Sequence, residues 1–190
     1  HSVTLSDYYI GRTEVTQELW QAVMGSNPSY SGFKGAKNPV NEVSWNDCQD
    51  FIRKLNSLTG GSFRLPTEAE WEFAARGGNK SRGYKYSGSD YLGSVAWYKD
   101  NSGYMVYPVG SKSPNELGLY DMSGNVDEWC ADWYDSYPSS SQTNPTGPSS
   151  GSRRVLRGGF YGVAADCRSA DRSGSDPTIS YGSSGLRLAY

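Results

Sequence analysis

In the stretch LYDMSGNVDEW, four oxygen donors are spaced as a hard cation requires: the Asp121 side chain, the backbone carbonyls of Gly124 and Val126, and the Glu128 carboxylate. Calcium takes such oxygens, but the same residue types also knit turns through their side chains, so the stretch reads either as a calcium site or as a turn. Asp166, Asp171 and Asp176 form a second acidic set with no companion base, and read as solvated loop carboxylates. Cys48, Cys130 and Cys167 make neither a CxxC pair nor a metal spacing. They are expected as buried free thiols, with a Cys130–Cys167 bridge as the alternative. The only histidine is His1. That removes Ser-His-Asp and Cys-His nucleophile pairs, His-ligated zinc or iron, and a histidine base.

The residues left to do work crowd the end of the chain. From Arg154 to Tyr190, paired glycines, a Cys-Arg and an almost terminal GLRLA frame two aperiodic runs, Phe160–Asp166 and Ser173–Ser184. Both runs mix large aromatics with Gly, Ser and Asp. Such runs need a rigid body beneath them.

The bulk of the chain supplies one. Its 190 residues suffice for one domain with a real core. Hydrophobic residues are only 36%, but 15 Tyr, 6 Trp and 23 Gly point to a loop-rich α+β domain. A net charge of -2 leaves no electrostatic footprint for nucleic acid, and no apolar run reaches membrane-span length. The absence of an initial Met suggests a trimmed or mature fragment.

The opening VTLSDYYIGRTEVT alternates and predicts a strand. Thr16 caps a helix that Gly25 ends. Ser44 and Asp47 open a second, with Phe51, Ile52 and Leu55 as its buried stripe and Gly60-Gly61 as its stop. Thr67 and Glu70 form a capping box for a third that carries Trp71, Phe73 and Ala74. Beyond Gly77 helix signals fade; MVYPVG reads as extended and Asp135–Ser152 as a surface loop. RVLRGG and GLRLAY predict short strands completing a sheet with the first.

The blocks YIGRTEVTQELW, NPVNEVSWNDCQDF, RLPTEAEWEFAARGG, NELGLYDMSGNVDEWCADWYD and RVLRGGFY…CRSADR…GLRLA resemble the formylglycine-generating-enzyme (sulfatase-modifying factor) family, in order from Val3 to Tyr190. The resemblance implies an α+β C-type-lectin fold: a small twisted antiparallel sheet, flanking helices and extensive packed loop. It also implies calcium at Asp121, Gly124, Val126 and Glu128, although Asp127 stands where the family usually has Trp. The enzymes carry two cysteines after the paired glycines, on the fourth residue and five further on, and bind copper there to activate oxygen. Here those positions are Val163 and Arg168, neither of which replaces a thiolate ligand. The catalytic apparatus is expected to be absent, and no catalytic cofactor is expected.

The C-terminal frame also resembles the variable region of diversity-generating-retroelement proteins of the treponemal type. In these, adenine-specific mutagenesis of AAC-type codons yields only codons ending in C, which cannot encode Lys, Glu, Gln, Met or Trp. None of those five residues occurs after Asn144. The resemblance implies a display protein whose frame residues Arg157, Gly158, Gly159, Arg168, Arg172 and Arg187 are structural. Phe160, Tyr161, Gly162, Val163, Asp166, Asp171, Ser173, Gly174, Ser175, Thr178, Ser180, Tyr181, Gly182 and Ser183 then face a partner. Rigid aromatics beside adaptable Ser, Gly and Asp match the composition of antibody paratopes. The expected protein is a monomeric, extracellular or bacterial cell-surface binder of an unidentified protein or surface ligand. The alternatives are a formylglycine-generating or related oxidase, and an invariant adhesin or lectin.

Overall fold

The computed structural model describes residues 1–190. Its helices are α1 (Gln17–Met24), α2 (Trp45–Thr59), α3 (Glu68–Ala75), α4 (Leu92–Val95) and α5 (Lys99–Ser102). Its strands are β1 (Val3–Thr4), β2 (Asp127–Trp133), β3 (Gln142–Thr143), β4 (Arg154–Arg157), β5 (Arg172–Ser175) and β6 (Ser184–Gly185). No helix is long and apolar enough to cross a membrane.

The three long helices start and stop where their caps dictate. The Thr16 hydroxyl accepts from the Leu19 N–H, and Gly25 closes α1 at φ 86°. Ser44 and Asp47 exchange side-chain and backbone hydrogen bonds in a reciprocal box, as do Thr67 and Glu70. These bonds satisfy amide groups that a helix N-terminus otherwise leaves orphaned.

The main sheet has the order β5-β4-β2-β6. β2 pairs antiparallel with β4 and parallel with β6, and β4 pairs antiparallel with β5. Side chains alternate across it, so each face anchors a separate core. Trp129 and Leu156 pack with α1 and α2 residues such as Trp20, Phe51 and Ile52. Cys130 and Val155 pack on the other side with Trp71 and Ala74 of α3. Cover on both faces explains why DEWCADW lacks a clean two-residue period and escapes recognition as a strand.

The α+β C-type-lectin-like expectation holds, with corrections in its detail. The opening strand is confined to β1, which pairs in parallel with β3, apart from the main sheet. Residues 9–15 instead run beside the chain end, with backbone bonds from Tyr9, Gly11 and Val15 to Tyr190, Leu188 and Leu186. MVYPVG pairs with no strand; Tyr107 donates its N–H to the Asn125 side chain at 3.0 Å. GLRLAY contributes only Gly185 to β6, because Arg187 turns inward to an ion pair and Ala189 bridges to Ile10 and Arg64. All three cysteines are buried free thiols, as expected.

Candidate ligand-binding face

The paired glycines open the face. Gly158 and Gly159 both have positive φ, 95° and 66°. A Cβ on Gly159 would stand 2.6 Å from the Asp166 carbonyl carbon and oxygen, so only glycine lets the Phe160–Asp166 loop fold back this tightly.

The residues entering β2 then hold both C-terminal runs side by side. Tyr161 donates its N–H to the Asn125 carbonyl at 3.0 Å, and Asp127 donates its own to the Ser183 carbonyl at 2.8 Å. The Tyr161 hydroxyl lies 3.6 Å from where a Gly182 Cβ would be. Glu42 and Asn46 donate backbone N–H groups to the carbonyls of Tyr181 and Pro177, tying down the second run. Asp176 accepts from the Thr178 N–H and hydroxyl at 2.8 and 2.6 Å, a side-chain-closed turn and not an acid–base group.

Val163, Ser173, Thr178, Ser180 and Tyr181 are exposed. Val163 and Tyr181 keep 50% and 46% of their surface in solvent, and Ile179 keeps 42%. Phe160, Asp166, Asp171, Gly174, Ser175, Gly182 and Ser183 are half-buried. Three expected contact positions are constrained by packing. Tyr161 is half-buried and meets Phe33 edge to face at 5.2 Å beside a small core of Phe33, Val106 and Val126. Gly162 is buried, and its carbonyl accepts from the Lys99 N–H. Gly174 lies against Tyr134, where a Cβ would approach the ring to 2.6 Å. Ser173, Gly174 and Ser175 sit on β5 and run toward Arg154, at the edge of the sheet opposite β6, so they stand apart from the Tyr161–Tyr181 centre.

Beneath the face, the frame arginines are structural, with one exception. Arg157, fully buried, pairs with Glu68 and Glu72 and donates to the Asp171 carbonyl. Arg172 grips Glu68 through two bonds of 2.7 and 2.6 Å. Glu68 and Glu72 carry no motif that marks them in advance; their role emerges only where α3 crosses β4. Arg168 is exposed and bonds only the nearby Ala165 carbonyl at 3.1 Å, so it belongs to the surface.

The Asp121–Glu128 oxygen set does not fit calcium in this arrangement. Both Glu128 oxygens accept from Arg187, and one also takes the Trp71 indole N–H at 2.7 Å. Asp121 gives one oxygen to the Gly110 N–H at 2.6 Å, leaving only Oδ1 without a partner. A guanidinium stands against Glu128 where the resemblance implies a divalent ion, and no cluster of metal-binding side chains forms elsewhere. Arg187 also donates to the Gly11 and Tyr120 carbonyls, both at 2.8 Å. Glu14 and Asp121 lie close by; burial raises the Glu14 carboxyl well above its usual range and lifts Asp121 to about 6.

Burial also governs the groups under the face. Asp127, where the resemblance has Trp, is lifted to about 8 by desolvation and then by Asp166. The Cys167 thiol is pushed up to about 12, first by burial and then by Asp127. Such a thiol stays protonated near neutrality, and protonated sulfur is a poor nucleophile and a poor metal ligand.

The profile of the sulfatase-modifying factor enzyme 1-like domain matches residues 1–190. The formylglycine-generating enzyme of Streptomyces coelicolor is 35% identical over 90% of this chain and 57% of its own length. The chaperone protein LppX of Paenibacillus barcinonensis is 40% identical over 70% of this chain and 65% of its own length. The chain thus spans less than two thirds of either relative. Among solved structures, Treponema denticola variable protein 1 superposes with a TM-score of 0.90 at 39% identity, covering 100% of this chain and 86% of that one.

Proposed function

This chain belongs to the sulfatase-modifying factor enzyme 1-like domain family, and within that family we propose that it is a non-catalytic, ligand-binding display protein. Its relatives include enzymes, so the reading rests on the site. The observation that carries it is the pair Val163 and Arg168, exposed hydrocarbon and guanidinium where the resemblance places both copper-binding thiolates. The one cysteine nearby, Cys167, is buried with its sulfur 3.8 and 3.7 Å from the Phe160 and Val163 carbonyls. One protonated thiol facing carbonyls does not make a two-thiolate metal site.

The surface itself favours recognition. Val163, Ile179 and Tyr181 expose apolar area, the last two beside the exposed Thr178 and Ser180, on loops whose ends are pinned by backbone bonds and whose base rests on paired charges. Binding on loops held by a rigid body separates recognition from stability. The likeness to Treponema denticola variable protein 1, with the absence of Lys, Glu, Gln, Met and Trp after Asn144, supports diversification of this face by a retroelement. The partner is a protein or surface ligand met outside a bacterial cell, bound by a monomer.

The test is incubation of the protein with copper, oxygen and a cysteine peptide of sulfatase type, read by mass spectrometry. The proposal expects unmodified peptide; formylglycine in the product overturns it. Diversification is read from the adjacent DNA, as a near-copy of the final codons differing at adenines.

A further inference from the structure

Away from the Tyr161–Tyr181 face, a hollow of about 850 Å³ opens between α3, the end of β2 and the 135–148 loop. β2 loses its register with β4 between Trp129 and Trp133, and both Asp132 and Trp133 line the hollow. Phe73 and Tyr137 add exposed aromatic surface to its walls, at 38% and 51% exposure.

Its charges do not balance. Glu68 is satisfied by Arg172, by Arg157 and by the Tyr137 hydroxyl, and Glu72 by Arg76 and Arg157. Those pairs use every arginine of the hollow, and the remaining basic residue on its lining, His1, stands edge to face with Tyr137 at 6.1 Å and pairs with no carboxylate. Asp132, only 5% exposed, accepts the Glu68 N–H on Oδ2 at 2.8 Å, while Oδ1 accepts from no other residue. Oδ1 faces Gly147, whose missing Cβ, 3.2 Å away if built, keeps the space in front of it clear. Arg154 faces Asp132 from β4 but forms no ion pair with it. That guanidinium is stacked between Trp45 and Trp133, 3.9 and 3.5 Å from their ring centroids, and donates to the Ala131 carbonyl. A carboxylate buried without a counter-charge is costly, and a cation delivered into the hollow relieves that cost.

We propose that this hollow binds a small organic amine, its ammonium against Asp132 Oδ1 and its apolar or aromatic stem along Phe73, Trp133 and Tyr137. Ligand sites commonly combine an apolar lining with a few fixed polar groups in this way. Desolvation lifts Asp132 to about 6 against the lowering effect of the Glu68 N–H, with Glu68 and Glu70 of α3 adding to the rise. Binding therefore strengthens as pH rises from 5 to 7.5 and the carboxyl ionises.

The experiment titrates phenethylamine and, separately, phenylacetate into the full chain by calorimetry, with ring resonances of Phe73 and Tyr137 followed by NMR. Saturable phenethylamine binding at pH 7.5 is expected, with phenylacetate silent and affinity falling at pH 5. Asp132→Asn keeps an acceptor for the Glu68 N–H and is expected to weaken the amine about tenfold or more, as loss of a desolvated charge pair does. Ala69→Leu, which fills the hollow from α3 and leaves Asp132 in place, is expected to abolish binding and decides the matter should the first variant fail to fold. Absent phenethylamine binding, equal phenylacetate binding, or wild-type affinity in either folded variant overturns the proposal.

Discussion

Arg187 and Glu128 face each other with neither side chain exposed to solvent, joined through Arg187 Nη2 to Glu128 Oε1 at 2.7 Å and Nε to Oε2 at 2.9 Å. This pair ties the chain just after β6 to the start of β2, and the Trp71 indole extends it into α3. Removing one partner strands a buried charge. Arg187→Met or Glu128→Gln is expected to cost about 3–5 kcal/mol in urea unfolding, while the joint Arg187→Met/Glu128→Leu change costs less than either.

The same pair sets the response to calcium. With Glu128 satisfied by a guanidinium, millimolar calcium or chelator is expected to leave the melting temperature of the wild-type chain unchanged. A rise of several degrees on adding calcium shows that Arg187 yields its place.

The two tyrosines at the centre of the face differ in depth. Tyr181 is 46% exposed, whereas Tyr161 packs on Phe33 beside Val106 and Val126. Tyr181→Ala is expected to leave stability within about 0.5 kcal/mol, and Tyr161→Ala to lower it by about 1–2 kcal/mol. Chemical denaturation separates them; equal losses overturn the assignment of Tyr181 to the surface.

Gly159 has no substitute. At φ 66°, with the Asp166 carbonyl 2.6 Å from any Cβ, alanine meets backbone that has no rotamer to change. Gly159→Ala is expected to destabilise by at least about 1–3 kcal/mol and to speed amide exchange across the 160–166 loop.

Stability should fall as pH rises through neutrality. Burial raises the folded-state affinity of Glu14, Asp121 and Asp127 for protons, the last two to about 6 and about 8. A carboxyl that holds its proton more tightly when folded stabilises fully below its unfolded value, and that stabilisation is lost as pH climbs through the folded value. The stabilisation from Asp121 and Asp132 is lost as pH climbs from their unfolded values to about 6, and that from Asp127 as pH climbs to about 8. Urea midpoints measured from pH 5 to 9 are expected to decline, and Asp127→Asn to flatten the upper part of the decline. Glu70, held low by Arg64 and the Thr67 N–H against its own desolvation, acts in the opposite sense, only in acid.

Much of this was legible in the sequence because it is local. Thr16, the Ser44–Asp47 and Thr67–Glu70 boxes, and Gly25 and Gly60 act within one turn of chain, and Gly158 and Gly159 take the positive φ that glycine alone adopts without strain. The lone terminal histidine and the missing thiolates at Val163 and Arg168 needed no coordinates. The strand β2 stayed hidden because cores on both sides erase the alternation that marks a half-exposed strand. Long-range pairing decided the rest. Asp121–Glu128 has calcium-like spacing along the chain, yet Arg187, 59 residues after Glu128, arrives in space to take its carboxylate. Tyr161 and Tyr181 have similar sequence neighbours, but Phe33 packs on the ring of the first while the second keeps 46% of its surface in solvent. Glu68 and Asp132 became an ion-pair hub and an uncompensated acid only when α3 met the end of β2, because charge compensation is fixed by distance through space and not by order along the backbone.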